Sequence, residues 1–269
     1  TALILAASTI DGDLAVRSGN ASGITDSGTV TVGGNLAATT DAANGLINLG
    51  TLAVDGTIAL ATNGSGNATV VNDAGLTFAA STVGGNLLAT ATTGNITDSG
   101  TLTIAGASTF ITGASGSNII LDSSGNAFSN AVTLQADAGN ETFGNITFVD
   151  SGAVRLHSSA SADGDLYINA STDAAVGGNL NVTATTGNIR QGRAVAVGGA
   201  SSFTTSANNA NINLSRTDNA FTGAVALNTT GSNGNATIDG GTTALVLAAA
   251  TIGGDLTAKI GRASCGERV

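Results

Sequence analysis

The chain has 269 residues and a formal net charge of −10, with 10% charged residues, 39 Gly, one Cys and no Pro, Met or Trp. Lys and Arg total eight, with no basic cluster in the body of the sequence, which argues against the phosphate-neutralising patch that nucleic-acid binding needs. Mean hydropathy is nonetheless positive, and disordered chains combine low hydrophobicity with high net charge, so a folded body of small apolar side chains with a solubilising acidic surface is expected.

The opening stretch Thr1–Ile10, TALILAASTI, could pass for the apolar core of a signal peptide, but the positively charged leader is missing. Thr1–Leu14 matches Thr243–Leu256 at eleven of fourteen positions, so the apolar run reads as repeat core and the chain opens inside a repeat. No stretch approaches the ~18–20 apolar residues of a membrane span. The same unit recurs four times, at Leu3–Leu14 (LILAASTIDGDL), Leu76–Leu87 (LTFAASTVGGNL), Arg155–Leu166 (RLHSSASADGDL) and Leu245–Leu256 (LVLAAATIGGDL), in steps of 73, 79 and 90 residues. Internal repetition of this kind is the signature of a stacked, solenoid-like architecture.

Shorter units lie within the large ones. Gly28–Val32 (GTVTV) is followed 22 residues on by Gly50–Val54 (GTLAV), Ala131–Leu134 by Ala153–Leu156 at the same step, and Ala224–Leu227 by Ala244–Leu247 at 20. Most of these segments alternate apolar with small or polar residues, the period-two pattern of a strand. Gly, Asn, Asp and Ser clusters such as Gly84-Gly85-Asn86 and Gly177-Gly178-Asn179 bound them and suit tight corners. No window offers a capped amphipathic helix. The expected fold is all-β, a β-solenoid of about twelve coils of roughly 20–22 residues, on the order of 55–60 Å long at the strand spacing of ~4.8 Å. Small side chains suit its narrow interior. The absence of Pro fits strands whose amides all donate to a neighbouring coil, and corner Asn and Thr can stack into ladders.

The longest ungapped match pairs Gly94–Leu134 with Gly187–Leu227 at an offset of 93. It places Phe110 opposite Phe203, and the Asn126–Phe128 step opposite Asn219–Phe221; the four phenylalanines are read as core plugs. Tyr167–Leu180 lengthens the third repeat and is expected to add a partial coil or a surface loop.

Candidate chemistry is sparse. Glycoside hydrolysis needs two flanking carboxylates, and Asp11/Asp13 and Asp163/Asp165 are the close pairs, yet they fall at the repeated corner where the second copy carries Gly84 and Asn86. Corner chemistry explains Asp, Asn and Gly alike, whereas catalysis explains Asp alone. His157, the single His, has no nearby Cys, Ser or carboxylate partner in the sequence. Ungapped, it aligns with Leu5, Phe78 and Leu247; a one-residue slip puts it at Ala248. The body's basic residues read as scattered, unlike the clustered Arg or Lys of a lyase. A calcium nonapeptide is absent, so no catalytic residue, metal or cofactor is assigned. The Thr-x-Thr pairs Thr29/Thr31, Thr90/Thr92, Thr101/Thr103 and Thr183/Thr185 raise an ice-binding face, although Thr is also an ordinary strand residue. Sequons at Asn95–Thr97 and Asn145–Thr147 are expected by chance in so Asn- and Thr-rich a chain.

The fourth repeat stops after Ala258. Lys259–Val269, KIGRASCGERV, holds the single Cys, Cys265, and three of the eight basic residues. It resembles the conceptual translation of a common short-read sequencing adapter, departing at Gly266 alone. Residues 1–258 are therefore read as one solenoid repeat domain cut from a longer chain, probed by environmental sequencing, and 259–269 as a non-native tail. Cys265 supports no redox argument, and the Cys-free body suits an extracellular rod without disulfides.

The VGGNL and IGGDL corners, the Thr90–Ile104 run (TATTGNITDSGTLTI) and the Asn126–Leu134 run (NAFSNAVTL) resemble the repeats of large bacterial filamentous-haemagglutinin-like surface proteins, across essentially Thr1–Ala258. That resemblance implies a right-handed parallel β-helix, export to the cell surface or medium, and roles in adhesion and biofilm formation. It also implies cell-surface glycans or proteins, together with flanking repeats of the same polypeptide, as partners. The reading reached is a structural shaft acting by projection and multivalent contact. A carbohydrate-active β-helix enzyme is the alternative, followed by an ice-binding solenoid.

Overall fold

A computed structural model of the chain describes residues 1–136, 144–156, 165–168 and 174–261. It is all-β, with parallel strands coiled into a β-solenoid of about eleven turns. The strands form sheets of fifteen, thirteen and three members. In each sheet a strand pairs with its counterpart one coil away: Leu87–Ala91 lies in register between Ala68–Asn72 and Ser108–Thr112. Most strands are three to five residues long, as in Leu76–Phe78 and Val132–Ala136. A short strand between Gly- and Asn-rich corners is what a coil of about twenty residues with three faces allows.

The turn count is slightly below the dozen expected because coil length is not constant. Ala68 stacks under Leu87, 19 residues on, whereas Ile146 stacks under Leu180, 34 residues on. The extra chain enters in the third repeat. There the sheet order runs Val132–Ala136, Asp165–Ile168, Val154–Leu156, Ile189–Gln191, departing from chain order. Within Tyr167–Leu180, residues 169–173 lie outside the described residues, while Tyr167, Ile168, the strand Ala174–Val176 and the corner after it are described. Two longer strands, Leu36–Ala43 and Ser201–Asn208, carry register shifts against their next coils. Each shift ends at an asparagine in the left-handed region, Asn44 at φ 62° and Asn209 at φ 63°, a conformation that Asn tolerates through its short polar side chain.

Alternation along each strand builds the core. In Leu87–Ala91 the first, third and fifth residues are buried, and the same holds for Ser108–Thr112. One apolar cluster runs continuously from Ile24 to Ile238. All four expected phenylalanine plugs lie inside it, with Phe78 and Phe148 in addition. Phe78, Phe110 and Phe128 meet edge to face at 6.1–6.2 Å, Phe128 stacks on Phe148 at 5.3 Å, and Phe203 meets Phe221 at 6.2 Å. Such aromatic pairs add stabilisation beyond area burial. Two residues before Phe110 and Phe203 sit Ser108 and Ser201, buried with unpartnered hydroxyls. A ring can enter this narrow interior because its inward neighbour on the same strand is small. The hydroxyl itself contributes nothing visible.

The corners are held by a second, polar device. The side-chain oxygen of a corner residue accepts the backbone N–H of the equivalent residue one coil on. One column runs through Asn95, Asn118, Asn145 and Asn179, with N–H donation from Asn118 at 2.8 Å, Asn145 at 2.6 Å, Asn179 at 2.9 Å and Ala200 at 2.8 Å. Another runs Asn188, Asn211, Asn235, Asp255, at 2.7, 2.8 and 2.7 Å. Glycine stands before several ladder residues where the coils approach most closely, whereas Ser117 and Ala210 precede Asn118 and Asn211. A Cβ on Gly178 would overlap the Gly144 carbonyl, and one on Gly199 would overlap the Asn179 side-chain oxygen. Two further asparagines are inside the wall. Asn126 accepts from Leu102 N and donates to Asp98, and Asn219 accepts from Val195 N while donating to the carbonyls of Leu214 and Asp239.

Two measurements check this account. Phe110→Ala, which empties the centre of a ring stack, is expected to cost about 3–5 kcal/mol in chemical denaturation, while Ser108→Ala should leave stability unchanged or raise it, because it deletes a buried hydroxyl that has no partner. Asn145→Ala removes one acceptor from an exposed corner where water can replace it, so a loss of about 1 kcal/mol is expected. Asn219→Ala strands several buried groups and should cost clearly more; equal losses for the two would show that the ladder's burial does not govern its worth.

Candidate functional site

The carboxylates singled out in the sequence belong to the corners. Asp13 accepts the backbone N–H of Asn35 at 2.7 Å, and Asn86 in the next copy of the repeat accepts that of Ala107 at 2.9 Å. Asp and Asn thus fill one structural role, and Asp11 is an exposed neighbour. Asp163 and His157 lie outside the described residues, and of Asp165 the main chain alone is placed, in register with Arg155. Cys265 and the tail from residue 262 are likewise outside the described residues. The sequon asparagines Asn95 and Asn145 both have their side-chain oxygens engaged in the corner ladder. Among the described residues no group of three or more His, Cys, Asp or Glu is placed to hold a metal ion.

The threonine pairs do not stack into long rows. Thr31 lies between Thr9 and Ala53, Thr90 between Val71 and Ile111, Thr103 between Thr82 and Ala127, and Thr183 between Val149 and Thr204. The run Thr57, Thr77, Thr97 gives way to Ile120 in the following coil. Thr29 precedes its strand, and Thr92 turns its hydroxyl to the carbonyl of Asn72 at 2.8 Å. The threonines are therefore strand and corner residues on interrupted faces.

Coiling gathers a different set of residues, one that the linear sequence disperses. The body's arginines read as scattered, and the fold corrects this. Arg155 and Arg190, 35 residues apart, are register partners on adjacent strands. Ile189 stacks on Ile212, so the corner with Arg193 lies one coil from the corner with Arg216. Four of the five arginines among the described residues thus fall within neighbouring coils of one region. The fifth, Arg17, is far away and paired with Asp41 at 2.7 Å; the bond to Arg17 holds the Asp41 carboxyl below its ordinary range. The signal was available as the coil step, since residues about one coil apart in sequence are neighbours in space.

The local geometry of this region is specific. Arg216 is forked onto Asp218, with Nε to Oδ1 at 2.9 Å and Nη2 to Oδ2 at 2.6 Å, and its Nη1 reaches the Gly192 carbonyl at 3.2 Å. That fork lowers the Asp218 carboxyl from its ordinary value. Gln191 ties the two corners together: its amide nitrogen donates to the Arg193 carbonyl at 2.9 Å and to the Asn219 side chain at 2.7 Å, and its oxygen accepts from Arg216 N at 3.2 Å. Arg190 and Arg193 are exposed. Arg190 lines an open groove with Asn211, Ile212, Asn213, Asn235 and Thr237. Guanidinium groups beside amides and a hydroxyl can bind an anion and its neutral hydroxyl neighbours. Beside the cluster, the Asp218 carboxylate is taken up by Arg216.

No helix among the described residues is long and apolar enough to cross a membrane. Comparison with known proteins finds no match among curated proteins or among solved structures. A family described as repeats of unknown function (DUF5649) does match, over residues 1–50, 65–135 and 143–228. These segments carry the strands, corner ladders and phenylalanine plugs described above and make up most of the chain, which therefore belongs to this family of repeats.

Proposed function

We propose that the chain is a segment of the shaft of a secreted or cell-surface bacterial adhesin, acting in adhesion or biofilm formation. The observation that carries this reading is the continuity of the solenoid. One apolar cluster and successive corner ladders run through its coils, giving a stiff rod about 50 Å long at ~4.8 Å per coil. The filamentous-haemagglutinin-like style of the corners supports the same reading. A rod of this build projects whatever it carries away from a surface. It presents similar faces again and again, so weak contacts gain apparent affinity through high effective concentration. Its partners are cell-surface glycans or proteins, and its location is the bacterial surface or the extracellular space.

Displaying residues 1–258 on a non-adherent bacterial strain tests this. Cells carrying the chain should clump and resist wash-off, and two tandem copies should increase retention by more than the ratio of copies. Retention equal to that of cells bearing the empty display scaffold would overturn the proposal.

A further inference from the structure

We propose that Arg190 and Arg193, with the amides beside them, form a docking site for an acidic polysaccharide whose charges are sugar carboxylates. This rests on the adhesin reading above and deepens it by naming the class of ligand. The first argument is that folding gains nothing from these two side chains. Among the described residues, neither the Arg190 nor the Arg193 guanidinium meets an anionic partner, and both are exposed. Arg190 is moreover the register partner of Arg155, one strand spacing of ~4.8 Å away.

The second argument is the outward column above them. Arg190 is followed in register by Asn213 and then Thr237, so cation, amide and hydroxyl succeed one another along the rod. A polymer lying parallel to the axis would place its carboxylates against the arginines and its hydroxyls against the amide and the threonine. Successive sugars in such a polymer repeat at a spacing close to that of successive coils. The guanidinium fork matches a planar carboxylate with two parallel hydrogen bonds.

The third argument is charge density. The whole chain carries −10, and its described N-terminal half presents Asp11, Asp13, Asp26, Asp41, Asp55, Asp73, Asp98 and Asp122 against Arg17 alone. A densely charged partner such as nucleic acid or a heavily sulfated chain is repelled by this background. Duplex binding also draws on many phosphate contacts, and two arginines supply few. One charge per sugar is the density that a small cluster on an acidic rod can accept.

The test is calorimetric titration of the full chain with polygalacturonate. Neutral dextran serves as blank, and dextran sulfate and duplex DNA as competing arms. Binding to polygalacturonate should exceed that to dextran, weaken with added salt, and fall roughly tenfold or more in the double variant R190A/R193A. Arg17→Ala, remote from the cluster, should bind as the parent does. Both substituted positions in the double variant face solvent, so its thermal unfolding should match the parent and mark any loss as local. The proposal is overturned if R190A/R193A binds as tightly as the parent, if dextran binds equally well, or if dextran sulfate or DNA binds more tightly than polygalacturonate. A fall in polygalacturonate viscosity on incubation would overturn it in favour of a catalytic reading. Loss of polygalacturonate binding in a chain that still clumps displaying cells would sink this inference and leave the adhesin reading standing; loss of both would sink the two together.

Discussion

The structure depends on one hydrogen bond made repeatedly: a backbone N–H at a corner donated to the side-chain oxygen of the corner residue one coil before. Strand amides find partners automatically in a parallel stack. Corner amides do not, because the chain changes direction there and its polar groups would face each other imperfectly, and leaving a polar backbone group unpaired is costly. The asparagine oxygen spans the gap, and each bond fixes the register of the next coil. Glycine precedes several of these residues because successive coils approach so closely at the corner that a Cβ would strike the carbonyl beneath, as at Gly144 under Gly178. The recurrent Gly-Asn and Gly-Asp steps are therefore one device seen from two sides, an acceptor that reaches forward and a residue without a side chain that lets it come close.

This device also explains why the long repeat need not respect the faces of the solenoid. Segments 93 residues apart are matched in sequence but sit on different sheets. Ser108–Thr112 belongs to the fifteen-stranded sheet and its equivalent Ser201–Asn208 to the thirteen-stranded one. Ile96–Asp98 makes the opposite exchange with Ile189–Gln191. The interior environment is nonetheless preserved, because Phe110 and Phe203 are both fully buried and both meet a second phenylalanine edge to face. A face of this solenoid asks for a short strand with small apolar residues inward and a ladder at its start. Any segment meeting those terms can occupy any face, so a repeat that is not a whole number of coils is tolerated.

Much of this was legible in the residues. Alternation marked the strands, the Gly-Asn pairs marked the corners, and the matched phenylalanines of the two long repeats marked where rings enter the core. Three things were not. Coil length is set by how much chain loops out at a corner, and the 34-residue step between Ile146 and Leu180 has no periodic signature. The buried roles of Asn126 and Asn219 were hidden because an asparagine before an inward residue looks like any other corner asparagine; burial and partners distinguish it. The arginine cluster was hidden because residues 23 or 35 apart look unrelated until the coil step is known to vary between 19 and 35.

The two signs of charge are not equivalent on this molecule, and the difference separates fold from function. Several carboxylates are absorbed by the architecture. Asp13 accepts from Asn35, Asp26 from Thr51, Asp98 from Asp122 and Asn126, Asp150 from Phe128 and Asp239 from Gly241, each bonding as a corner or wall residue. Such groups reveal how the chain folds and say little of what it meets. An arginine cannot serve the corner ladder in this way, because the ladder needs acceptors for backbone amides and a guanidinium can only donate; Arg17 and Arg216 are held by carboxylates instead. Arg190 and Arg193, exposed and without an anionic partner among the described residues, are not explained by the ladder. In a repeat protein whose body is almost wholly determined by corner and core, departures from the repeat of this kind are where contact with another molecule is to be sought.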